Sequence, residues 1–189
     1  MAATVNVQEG NGASVSWTTK TSVRFCTSDN NDPGTTYPTP IPSADFNYSY
    51  WKSICLALSG SFTKINNVKV YCDGTIGFAC GTSGGVFVGL RDSGDNGCPA
   101  ASYQQSAGSE GVTGYDIGDA GNGHAYYKGQ STPKALLSGY TSGAPLTVDT
   151  GDHTSAEVTK HIVLQWKIAT DATRGLQSAE TITWLYDEI

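Results

Sequence analysis

The sequence predicts an all-β fold, a single-domain antiparallel β-sandwich with a jelly-roll-like arrangement as one candidate form and a long loop-rich insertion over residues 92–157. Two observations carry that expectation. First, Lys52–Ser59, Phe62–Ile65, Val68–Cys72, Ile76–Cys80 and Val86–Arg91 place β-branched, aromatic or aliphatic residues at alternate positions, and Ser59-Gly60, Asn66-Asn67, Asp73-Gly74 and Gly84-Gly85 cut each from the next. This reads as a strand meander, with Ile54, Leu56 and Leu58 answered by Val68, Val70 and Cys72 of a neighbouring strand. Second, charged residues make up only 15% of the chain while Gly, Ser and Thr are abundant, a composition that suits short strands and tight turns. At 189 residues the chain fits one domain, long enough to bury about 70% of its unfolded surface without a disulfide or a metal.

Taken in order, Thr4–Gln8 alternates, Gly10-Asn-Gly turns the chain, and Val15–Thr18 returns, which predicts an N-terminal hairpin; Val23–Thr27 continues as a strand. Between Ser28 and Asp45, Asp32-Pro-Gly and then Pro38, Pro40 and Pro42 exclude interior strand and helix, because proline lacks an N–H and fixes φ. That segment is expected to be a surface connection or an extended arm along a neighbouring subunit. Phe46, Tyr48 and Tyr50 alternate on the approach to the meander, either as core and cross-strand pairs or as an exposed stacking platform.

From Asp92 to Glu157 the periodicity fades, although short strands must be hidden there, since a structureless loop of that length is unusual in a compact domain. Thr132 and Pro133 suggest a helical turn over Lys134–Leu137. The end is clear again. Ile162, Leu164, Trp166 and Ile168 alternate with His161, Val163, Gln165 and Lys167 as in a half-buried strand, and Thr181–Tyr186 is expected to return and pair with it. No repeat of about 20–50 residues and no heptad is present.

A net charge of −6 and an absence of Lys/Arg clusters disfavour direct nucleic-acid binding. Nowhere do about 18 apolar residues stand together, and no basic region with an apolar run opens the chain, so neither a membrane span nor a signal peptide is expected. The five cysteines (Cys26, Cys55, Cys72, Cys80, Cys98) are an odd number without a C-x-x-C pair, which gives neither a zinc pattern nor a complete disulfide framework. Free buried thiols in a reducing cytosol are the expectation, with a Cys72–Cys80 bridge as the alternative.

Gly81-Thr-Ser-Gly-Gly superficially matches the serine loop of trypsin-like proteases, but Thr82 stands where an acid belongs and His124, His153 and His161 all follow Ser83; a glycine turn accounts for it. Asp92-Ser-Gly-Asp-Asn-Gly and Asp116-Ile-Gly-Asp-Ala-Gly-Asn-Gly set carboxylates among glycines as Ca²⁺ loops do, yet neither has the EF-hand order, and turn chemistry explains them. The same holds for Asp149 and Asp152 beside His153. No catalytic residue, cofactor or metal ligand is assigned, and the chain is expected not to be an enzyme.

Thr4-Val-Asn-Val-Gln-Glu, Val23-Arg-Phe-Cys-Thr, Tyr48-Ser-Tyr-Trp-Lys, Phe62-Thr-Lys-Ile-Asn-Asn-Val-Lys-Val-Tyr-Cys-Asp-Gly-Thr and the closing Glu180-Thr-Ile-Thr-Trp-Leu-Tyr-Asp-Glu-Ile form an ordered set. Together they resemble a group of largely uncharacterised structural proteins of tailed-phage and prophage virions. That resemblance implies a head or tail component, such as a capsid decoration protein, whose partners are copies of itself and other virion proteins such as the major capsid protein. The proline segment (Pro38, Pro40, Pro42) and the aromatics Tyr48, Tyr50 and Trp51 are the candidate interface. The alternative is a carbohydrate-binding module or adhesin, stacking sugars on Tyr48, Tyr50 and Trp51 or on Tyr126 and Tyr127.

Overall fold

The computed structural model describes residues 2–92 and 94–189; Met1, and Ser93 within the first Asp/Gly-rich motif, lie outside the described residues. Two unequal antiparallel sheets pack face to face. The larger runs β2 (Ser16–Thr19), β1 (Ala3–Asn11), β4 (Lys52–Gly60), β12 (Ile162–Ala169), β6 (Gly85–Gly89), β9 (Lys134–Leu136), with β11 (Glu157–Val158) added to β4 and β3 (Phe46–Tyr48) to β12. The smaller is β10 (Leu146–Asp149), β5 (Ile65–Tyr71), β13 (Thr183–Glu188), and β7 (Gly108–Ser109) pairs with β8 (Thr113–Gly114). No helix among the described residues is long and apolar enough to cross a membrane.

The N-terminal hairpin forms as expected, Gly10 facing Trp17 across it. Of the expected meander, Lys52–Ser59, Val68–Cys72 and Val86–Arg91 fall on β4, β5 and β6, which do not pair with one another; Phe62–Lys64 forms no strand, and Asn66-Asn67, expected as a turn, lies inside β5. β4 lies between β1 and β12, β6 between β12 and β9, and β5 belongs to the opposite sheet. Ile54, Leu56 and Leu58 therefore meet Val68, Val70 and Cys72 across the sandwich rather than side by side, in one buried cluster with Val86, Val88, Leu146, Val148, Ile162 and Leu164. Alternation identifies which residues face inward; it does not say which sheet they face inward from.

Four further expectations are corrected. Val23–Thr27 is extended but unpaired; its Val23 and Phe25 pack on the core while Cys26 O accepts from Tyr50 N and Thr27 N donates to Tyr37 O. Ile76–Cys80 likewise lends Ile76 and Phe78 to the core without a strand, because Gly77 N and Ala79 N donate to the side chains of Glu180 and Gln177. Thr132 and Pro133 open no helical turn: Pro133 O accepts from Leu90 N, extending the β6–β9 ladder, and the 3₁₀ turn comes later, at Leu137–Gly139. Finally, β13 does not pair with β12; the connection after β12 crosses to the other sheet, where β13 lies beside β5.

β12 is buried on both faces, not half-buried. Ile162, Leu164 and Ile168 face the sandwich core, whereas His161, Val163 and Gln165, each 0% exposed, face the opposite way beneath the insertion. There Trp51, Cys98, Ile117, Tyr127 and Val163 form a second cluster. Residues 92–157 thus act as a cover over the outer side of the large sheet, besides supplying β9 and β10.

Candidate metal centre

The second layer holds the most unusual chemistry of the chain. Cys98 and His161 face each other in an isolated antiparallel bridge, exchanging Cys98 N to His161 O at 2.7 Å and His161 N to Cys98 O at 2.9 Å. A directly opposed, hydrogen-bonded pair projects its side chains to the same side of the ladder.

His124 is brought to them by a tight turn. Asp119 caps it by accepting from Gly121 N and Asn122 N, and Gly123 N donates back to Asp119 O at 2.9 Å. Only glycine fits at 123, since a Cβ there would lie 2.4 Å from that same carbonyl oxygen. His124 N then bonds Ile117 O, and His124 O accepts from Tyr127 N and Lys128 N.

One donor atom each from Cys98, His124 and His161 lie within 4.8 Å of one another, and all three residues are 0% exposed. Aromatic rings wall the group. Trp17 sits 5.4 Å and Tyr103 6.2 Å from the His161 ring, while Trp51 and Tyr127 sit 5.5 and 5.1 Å from that of His124. Trp17 can lie flat against β1 because its partner there is Gly10, whose Cβ would fall 2.7 Å from the indole.

Among the described residues neither ring nitrogen of His161 has a protein partner, nor does His124 Nε2; His124 Nδ1 takes only a 3.3 Å contact from Tyr126 N–H. Leaving a buried polar atom unpaired costs about 1–3 kcal/mol. Burial holds both rings neutral, lowering His124 to about 4 and His161, which also faces His124, to about 3. Burial also pushes the Cys98 thiol up to about 12, against the opposing pull of the Tyr127 hydroxyl and Arg91. The group is two neutral imidazoles and a protonated thiol, borderline and soft donors.

The neighbouring Gln165, on the same face of β12, is fully paired. Its Nε2 donates to Ser49 O and Tyr115 O at 2.8 and 2.7 Å, and its Oε1 accepts from Ile117 N at 3.0 Å.

The sequence-predicted residues lie elsewhere. Tyr50 and Trp51 are 3% and 2% exposed, so they belong to this chain's own interior and offer no stacking face or interface contact. Tyr48 is half-buried, with Lys134 Nζ 5.9 Å from its ring centre, and burial, chiefly, raises its hydroxyl pKa. Tyr127 is buried and Tyr126 is covered by Arg91 at 4.2 Å. Pro38 is exposed, Pro40 half-buried and Pro42 buried, and Pro40 O accepts from Asn47 Nδ2, so the proline segment is anchored to the body. All five cysteines are buried and free, without a Cys72–Cys80 bridge.

The Asp-rich turns spend their oxygens locally. Asp92 accepts from Ser131 N and Thr132 N, Asp116 from Gly118 N and Lys134 Nζ, and Asp95 from Lys160 Nζ and Thr150 Oγ1. His153 lies between Asp149 and Glu157, at 3.2 and 3.0 Å, where Asp149 also caps Gly151 N and Lys160 N. The loop at Ser83 is a turn closed by Gly84 N to Gly81 O.

Cys98, His124 and His161 are a constellation that sequence reasoning missed. Positions this far apart carry no local spacing signal, and the absence of a C-x-x-C pair excludes only the local pattern. No known protein family, curated protein or solved structure matches the chain.

Proposed function

We propose that this chain is a non-enzymatic structural subunit of a tailed-phage particle, a capsid-decorating or other head or tail accessory protein working through repeated contacts with copies of itself and with other virion proteins. One observation carries the reading: β13, the six-residue outer strand of the smaller sheet, leaves one edge unpaired among the described residues. The other strands with a single partner in these two sheets, β2, β3, β9, β10 and β11, have only four, three, three, four and two residues. Leu185 and Tyr186 on β13 are 41% and 37% exposed, and Ile189 just beyond it is 66% exposed. An open edge carrying exposed apolar side chains is a template for strand addition by a neighbour, here over Thr183–Tyr186, ahead of the exposed acids Asp187 and Glu188 and with a register shift between Leu185 and Asp187.

The resemblance to virion structural proteins supports the particle as the setting. The carbohydrate-binding alternative has lost its platform, because Tyr50, Trp51 and Tyr127 are interior. Multivalent attachment explains how such a subunit works, since many modest edge contacts on one lattice sum to a firm hold.

Purified protein, mixed with heads and tails of its source phage, should co-sediment at a fixed copy number, and electron microscopy should show a repeating density. Leu185→Lys with Tyr186→Lys should abolish attachment and leave the circular dichroism spectrum unchanged. A protein that stays monomeric and binds no part of the particle at high concentration contradicts the proposal.

A further inference from the structure

We propose that Cys98 Sγ, His124 and His161 together bind one thiophilic d¹⁰ metal ion, Zn²⁺ or Cu⁺, which staples the insertion to the outer face of β12. This site stands independently of any assembly role. Three observations point to it. The three donors converge within 4.8 Å from two separate loops and the start of a strand. Three imidazole nitrogens among them have no protein partner, although the residues are 0% exposed and the adjacent Gln165 shows that this same layer satisfies its polar groups elsewhere. The aromatic wall of Trp17, Trp51, Tyr103 and Tyr127 shields the centre from solvent, as metal sites with thiolate ligands favour.

The donor set selects the ion. Thiolate and imidazole suit zinc and copper, whereas Ca²⁺ and Mg²⁺ require oxygens, and no carboxylate belongs to the group. Metal–ligand bonds of about 2.0–2.3 Å need the three side chains to draw together modestly around the ion.

Binding forms one metal–sulfur and two metal–nitrogen bonds and releases the thiol proton to solvent, because a coordinated thiol ionises outright. Coordination through His124 Nε2 requires that ring's proton on Nδ1 and displaces the weak 3.3 Å contact from Tyr126 N–H. Cu⁺ would leave a neutral three-coordinate centre. Zn²⁺ would carry a fourth, exchangeable ligand, since no fourth His, Cys, Asp or Glu joins the group among the described residues.

Its place in the fold states what the ion does. Residues 92–157 have little regular structure on this face, and the ion would tie them to β12 through Cys98 and His124, closing two loops as a cross-link does.

The test is titration of the metal-stripped, folded chain with Co²⁺ as the zinc probe and, anaerobically, with Cu⁺. Saturation at one equivalent, with a thiolate-to-metal charge-transfer band, is the expected result in at least one arm, and the arm that saturates identifies the ion. His124→Gln and His161→Gln should each weaken binding by more than about 100-fold, beyond the 10–100-fold that mutating a partner outside the ligand sphere produces. Cys98→Ser should remove the charge-transfer band. If Cys98→Ser does not fold, the wild-type titration and the two histidine variants decide. The proposal is overturned if folded wild type binds neither ion at one equivalent, or if binding survives the histidine substitutions unchanged.

Discussion

The two faces of β12 are equally buried and built on opposite principles. Toward the sandwich, Ile162 and Leu164 belong to the apolar core cluster, and their burial contributes about 25 cal/mol per Å² without any geometric demand. Toward the insertion, Gln165 of β12 and His161, the residue just before that strand, share the same 0% exposure, where every polar atom needs a named partner or costs free energy. Gln165 has its partners and His161 lacks them. Burial alone therefore says little about stability on the outer face; pairing decides it.

Substitutions on the two faces can break that contrast, and the largest effect should come from the outer one. Gln165→Leu orphans Ser49 O, Tyr115 O and Ile117 N together, and at about 1–3 kcal/mol for each group should cost about 4 kcal/mol or more in urea unfolding. On the inner face Ile162→Ala leaves a cavity and should cost about 3 kcal/mol by the same measurement. If Gln165→Leu proves milder than Ile162→Ala, the outer face is held by apolar packing after all.

His161→Phe sharpens the comparison further. In metal-stripped protein it replaces an imidazole whose two ring nitrogens are unpaired with an apolar ring and should raise stability by about 1–3 kcal/mol. In wild type, ion at 100 times its dissociation constant should add about 2.7 kcal/mol, and the variant should gain none of it. Smallest of all, Leu185→Lys on exposed β13 should change monomer stability by no more than about 0.5 kcal/mol, so any loss of attachment that it causes is a contact effect.

Much of the architecture was legible in the chain. Alternation found β1, β2, β4, β5, β6 and β12, and Ser59-Gly60 and Asp73-Gly74 marked breaks after β4 and β5, because side-chain periodicity and turn sterics are local; Asn66-Asn67 misled, since it lies inside β5 with Asn67 at φ 53°. Partner choice was not legible. Nothing in Val68–Tyr71 says that it faces β4 across a core instead of lying beside it, and nothing in Thr183–Glu188 says that it joins β5. The polar face of β12 read as a solvated one because His161 and Gln165 are residues usually found outside, and their cover is an insertion without periodicity. The candidate site was illegible for the same reason: Cys98, His124 and His161 meet only once that cover is folded.

The most direct test of this account of the outer face is anomalous diffraction from crystals of the chain loaded with Zn²⁺ or Cu⁺, recorded at the absorption edge of that metal. A single peak is expected among Cys98 Sγ, His124 and His161, about 2.3 Å from the sulfur and about 2.0–2.1 Å from each nitrogen for zinc. A folded chain with no peak there, its two imidazoles paired instead to ordered water or to each other, would contradict it.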